Sequence, residues 1–143
     1  MPATLQDKAR TRAFARVIGP FLVIVPSAVA FRAATGTLEA SYGGFFEQPL
    51  LVWFAATLLL FGGLMIIAHH QIWSSPAAIL ISLFGWFLLL RGVALIAVPQ
   101  LMQQGVQAGM NLLPAVIAGF SALALIGLYL TYVGYIAKQD PAS

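Results

Sequence analysis

The chain has 143 residues; 61% are apolar, only 8% are charged and none is cysteine. Soluble domains carry about 25% charged residues, and a chain this short with a mean hydropathy of +0.94 cannot cover its apolar surface in water. Lipid is therefore the expected solvent and one membrane domain the expected organisation, while disulfides, thiolate metal sites and cysteine nucleophiles are excluded.

Lys8, Arg10, Arg12 and Arg16 crowd the N-terminal region, and the remaining basic residues, Arg32, Arg91 and Lys138, are scattered. No basic stripe with interleaved aromatics is present, so nucleic acid is not an expected partner. Four cations beside an apolar run mark a cytoplasmic flank under the positive-inside rule. The first predicted helix covers residues 16–34. Its apolar part, Val17 to Phe31, is short for a hydrocarbon core that needs about twenty residues, but Arg16 and Arg32 can snorkel at its two ends. Pro20 and Pro26 predict a bend. Ser27-Ala28-Val29-Ala30 offers small residues of the kind that precede a signal cleavage. The polar leader is long, however, and Phe31-Arg32 makes a poor mature start, so this helix is expected to be retained.

The second predicted helix covers 49–68, within a charge-free stretch. The third covers 76–98: Ser74-Ser75 and Pro76 supply a start signal and Pro99 a stop. The fourth covers 112–137 with Pro114 in its first turn. Between the last two lie Gln100, Gln103, Gln104, Gln107 and Asn111, read as a polar outer loop or a short interfacial helix. The resulting fold class is all-α, a compact four-helix membrane bundle with both termini cytoplasmic. Glu39, Glu47 and the glutamine loop lie outside, and His69 to Ser75 and Lys138 inside. The chain also divides into two helical hairpins, each with an arginine (Arg32, Arg91) near the outer end of its first helix. Glycines and prolines align at no common offset, so duplication does not follow.

His69 and His70 close the second helix at the inner surface. Neighbouring helical residues point about 100° apart, and no third histidine or nearby acid completes a metal set. With Trp73 alongside, the pair reads chiefly as an interfacial anchor favoured by the helix C-terminal dipole. Contact with lipid or a partner, or a metal or haem shared across subunits, are the alternatives. Arg91 lies about 22 Å along the third helix from Pro76, in the outer half of the membrane, so histidines and arginine belong to different sites. A lone arginine at that depth costs about 3 kcal/mol or more. Three readings stand: snorkelling, a structural contact with Glu47 as its partner, or a ligand site. Most aromatics fall at the two interfaces, whereas Trp86, beside Gly85 near mid-membrane, is a candidate for packing against another helix. Small residues recur at heptad spacing, Ala55 and Gly62, Gly85 and Gly92, Gly127 and Gly134, where helix backbones can approach closely.

The runs IGPFLVIVPS, LLLFGGLMIIAHHQIW and ILISLFGWFLLLRGVALIAVP resemble a widespread family of small four-helix bacterial inner-membrane proteins of uncharacterised function. The features carrying the likeness are His69 or His70, Trp73, Gly85-Trp86 and Arg91-Gly92, over roughly residues 17–100. The resemblance implies a bacterial inner membrane and supplies no activity. Four acids, with Asp7 and Asp140 near the termini, form no acid–base constellation, so neither catalysis nor a cofactor is expected. The expected role is an accessory or scaffold subunit in the lipid bilayer, packing against other membrane subunits or as a homo-oligomer. The alternative is a small oligomeric transporter or pore for an anionic solute selected by Arg91.

Overall fold

The computed structural model describes residues 4–42 and 44–137. The described residues form six helices and no strand: α1 (Leu5–Ala34), α2 (Leu38–Tyr42), α3 (Pro49–His69), α4 (Pro76–Ala97), α5 (Pro99–Met110) and α6 (Leu113–Tyr135). Four of them, α1, α3, α4 and α6, are long and apolar enough to cross a membrane. Lys138 and Asp140 lie outside the described residues.

α1 begins at Leu5, well ahead of the expected Arg16. Thr4 and Asp7 cap each other reciprocally: the Asp7 N–H donates to Thr4 Oγ1 and the Thr4 N–H to Asp7 Oδ2, both at 3.1 Å. That box removes two orphan donors, and the following Gln6, Lys8, Ala9 and Arg10 are good helix formers. The helix ends where Gly36 takes φ 70°, allowing the Thr37 N–H to reach the Arg32 carbonyl at 2.9 Å and the Gly36 N–H that of Ala33 at 3.3 Å. Its 30 residues span about 45 Å, against roughly 30 Å of hydrocarbon. α4 starts as its sequence dictates, with Ser75 Oγ accepting from the Ala78 N–H at 3.2 Å and Pro76 in the first turn.

The long helices pack as two antiparallel pairs, α1 with α6 and α3 with α4. The two sequential hairpins expected from the chain order are therefore not the packing units: the first span pairs with the last. Each seam depends on glycine. A Cβ on Gly127 would stand 2.6 Å from the Leu22 carbonyl carbon and the Val23 nitrogen, and one on Gly19 2.6 Å from the Thr131 nitrogen. In the other pair, a Cβ on Gly92 would stand 2.6 Å from the Leu60 nitrogen, and one on Gly63 would strike the Leu89 backbone. Such contacts allow neighbouring backbones to touch, and dispersion between them is what holds helices together where lipid removes the hydrophobic drive. On α3 the expected register is off by one. The seam uses Ala56, fully buried, and Gly63, whereas Gly62 meets only the Leu88 Cδ1 at 3.7 Å. Both registers have heptad spacing, so spacing alone did not distinguish them.

The pairs meet only over part of their length. Ala15, Ile18 and Leu22 of α1 pack with Ala77 and Ile81 of α4, joined by Ile66 and Leu130, and the Phe21 and Phe84 rings lie 6.1 Å apart. This contact lies toward the end that carries Arg12, Arg16 and His70, called here the basic end. At the opposite end, the α5 end, the pairs stand apart, and α2 and α5 lie across the gap. A second cluster there, Val52, Ala56 and Leu95 with Phe45, Phe46, Ile96 and Met102, belongs to α3, α4 and the segments that cover them.

Candidate functional site: a closed histidine hub and an open arginine cavity

The two histidines separate completely. His69, on the last turn of α3, is exposed, and its Nδ1 lies 3.0 Å from the Met65 carbonyl. His70 terminates the helix with φ −141°, which turns its ring inward to 0% exposure. There Nε2 lies 3.1 Å from Thr11 Oγ1 of α1, and Nδ1 lies 3.2 Å from Ser82 Oγ of α4. Ser82 Oγ donates toward the His70 and Ile72 carbonyls at 3.2 and 3.0 Å. Since the serine proton is so engaged, Ser82 accepts from Nδ1–H, which leaves Nε2 to accept from the Thr11 hydroxyl. A neutral imidazole thus satisfies every partner, and burial pushes its pKa below the ordinary value of 6.5. The Phe14 ring closes the hub edge-on at 5.3 Å. The expected interfacial anchor therefore does not describe His70, which links the ends of three long helices; a helix-breaking φ at the last residue carries no sequence signal that would have shown this.

The N-terminal arginines also reach structural partners. Arg12 Nε and Arg16 Nε both donate to the Gly134 carbonyl, at 3.0 and 2.9 Å. This carbonyl belongs to the last turn of α6, where acceptors lack intrahelical donors and the helix dipole favours cations. Arg16 also lies over the Tyr135 ring, 5.8 Å from its centre. Pro20 has no N–H to offer the Arg16 carbonyl four residues back, and the Tyr135 hydroxyl donates to that carbonyl instead, at 3.2 Å.

Arg91 is at the other end, and the two histidines do not approach it. It lines a cavity of about 370 Å³ between the pairs, with Val29 of α1, Leu38 and Tyr42 of α2, Met102, Gly105 and Val106 of α5, and Phe120 of α6. Apart from the guanidinium and the Tyr42 hydroxyl, these lining side chains are apolar. Glu47 lines a different cavity, of about 380 Å³, with Glu39, Gln103, Gln107 and Asn111. Tyr42, Val106 and Met110 line both spaces and so form the partition between them. Among the described residues no ion pair joins Arg91 to Glu47, so of the three readings open to Arg91 the contact with Glu47 is not the one seen. The reason lies in α5: its apolar Met102, Val106 and Met110, one turn apart, insert between cation and acid. Trp86 is 41% exposed and points away from the α3–α4 seam, while its neighbour Gly85 is buried against Ile66.

No buried side-chain nitrogen or oxygen lacks a hydrogen-bond partner among the described residues, and these residues hold no cluster of three or more potential metal ligands. No protein-family model, curated protein or solved structure matches the chain.

Proposed function

We propose that the protein is an accessory or scaffold subunit of a bacterial inner membrane, with both termini cytoplasmic, that works by docking against another membrane protein or a second copy of itself. The observation that carries this reading is a second stripe of small residues, on α6. Gly127 and Gly134 are consumed by the seam with α1, but Ala115, Ala118, Gly119 and Ala122 are exposed on another face of the same helix, and a Cβ on Gly119 would meet nothing within 4 Å. In lipid, small residues at one-turn spacing permit the close helix approach from which association energy comes. The buried polar groups of the basic end, Thr11, His70 and Ser82, are taken up by contacts with one another and with backbone carbonyls, which leaves no buried acid–base pair there among the described residues.

A conducting role has one supporting feature, the Arg91 cavity. Within one subunit that cavity is closed toward the basic end by Ala15, Ile18, Leu22, Ala77, Ile81 and Leu130, so it is a pocket and not a path. The test is disulfide trapping in native membranes. Cysteine at position 118 or 122 should cross-link to a partner or to itself, cysteine at position 58 on the exposed face of α3 should do so far less, and Gly119→Leu should abolish the product. Equal trapping at all three positions, or none at any, sinks the proposal.

A further inference from the structure

We propose that the Arg91 cavity is a binding site for an anionic amphiphile, a molecule with a single carboxylate or phosphate head on an apolar body. The head would meet the Arg91 guanidinium and the body would lie between Val29, Phe120 and the apolar face of α5.

Three observations carry this inference. First, Arg91 makes no hydrogen bond or ion pair with a described residue, yet it stands about six residues, roughly 9 Å, inside the end of α4. Its side chain is exposed rather than packed in the protein, so on a helix that crosses lipid the low dielectric around it makes an anion far more stabilising than it would be in water. Second, the space is large enough: about 370 Å³ lies within the range of roughly 300–1,000 Å³ usual for small-molecule sites, and mostly apolar walls with few polar groups are the usual lining. Third, the charges are sorted. Both acids at this end, Glu39 and Glu47, face the neighbouring space, with Tyr42, Val106 and Met110 between. The arrangement leaves the guanidinium unneutralised on the apolar side of α5 and puts negative charge on the polar side. A small hydrophilic anion would gain the arginine but waste the apolar walls, whereas an amphiphile uses both. The site is formed by α1, α2, α4, α5 and the Val116–Phe120 face of α6, not by the Ala115–Ala122 stripe. Its failure would therefore leave the docking role standing, and the reverse also holds.

The same head-and-tail chemistry comes from two sources, a membrane phospholipid or a free amphiphile, and two arms distinguish them. In the first, the full chain is reconstituted in phosphatidylcholine nanodiscs doped with phosphatidylglycerol, and the lipid retained after mild extraction is measured by native mass spectrometry. In the second, dodecyl phosphate is titrated into protein held in a neutral detergent, with dodecanol as the uncharged counterpart. The wild type should retain phosphatidylglycerol over phosphatidylcholine, or bind dodecyl phosphate over dodecanol, by about tenfold or more, as befits a charge-assisted contact. Arg91→Gln should remove the preference and Arg91→Lys should keep part of it. Gly105→Leu is the second variant. Gly105 lines the cavity with open space around its Cα, so leucine there should fill the cavity and block binding without altering any charge or any seam. A preference in the first arm assigns the lipid as source, and one in the second alone assigns a free amphiphile. Absence of preference in both arms, or a preference unmoved by both Arg91→Gln and Gly105→Leu in proteins with wild-type melting curves, overturns the proposal.

Discussion

The two ends of the molecule solve the same problem in opposite ways. At the basic end the buried polar side chains saturate one another, His70 between Thr11 and Ser82, and at the surface Arg12 and Arg16 are both fixed on the Gly134 carbonyl. At the α5 end the helix pairs separate, and Arg91 lines a space that no described acid neutralises. A saturated interior rigidifies, and an unsaturated one is available to a ligand. The contrast teaches that a polar residue in a short membrane chain cannot be judged by type or depth alone. What decides its role is whether a neighbouring helix brings a partner within reach.

The largest effects are expected at the glycine seams. Gly127→Leu and Gly92→Leu should each cost more than about 3 kcal/mol, since the clash is with backbone and cannot be relieved by a rotamer. Gly119→Ala, with open space around it, should be neutral or stabilising by up to about 1 kcal/mol. Thermal melts in one detergent would check both, and a similar loss at all three positions would disprove the assigned seams. Next in size, His70→Ala should destabilise by about 2–4 kcal/mol, because it opens a void and strands Thr11 and Ser82. His69→Ala should stay within about 0.5 kcal/mol.

The histidine hub also predicts a pH dependence. The folded pKa of His70 lies below its ordinary 6.5, so the unfolded chain takes up this proton first as pH falls. Stability from the neutral ring is complete above about pH 6.5 and declines from there down to the depressed folded value. His70→Asn should flatten that part of the profile, and an unchanged slope below pH 6.5 would count against a buried neutral imidazole. The smallest effect is expected of the arginine pair. Because Arg12 and Arg16 share one carbonyl, either glutamine substitution should cost about 0.5 kcal/mol, and the double substitution clearly more than the sum. Strict additivity would show that the two contacts are independent.

Much of the architecture was legible in the primary structure. Four long apolar helices follow from hydropathy and length alone, and the Ser75-Pro76 start of α4 from capping chemistry. The start of α1 is hidden by charge: Gln6 to Arg10 look like a polar leader, whereas their helix propensity and the Thr4–Asp7 capping box begin the helix at Leu5. The pairing of α1 with α6 had no sequence signal, since apolar helices in lipid carry little amphipathic pattern to mark a partner. For the site, the separation of His70 from Arg91 followed from counting residues. The burial of His70 did not, because it depends on one backbone angle at the end of α3. Nor did the separation of Arg91 from Glu47, which needs the placement of α5.

The pairing of the first long helix with the last has a consequence for biogenesis. During synthesis α3 and α4 emerge one after the other and can zip up as soon as α4 clears the ribosome, but α1 must wait in the bilayer, its groove around Gly19 unfilled, until α6 arrives. A nascent chain arrested when α4 has left the ribosome but α6 has not should therefore carry a finished α3–α4 hairpin and an orphaned α1. That helix should be the segment captured by insertases and membrane chaperones, which site-specific photo-crosslinking of stalled chains would reveal.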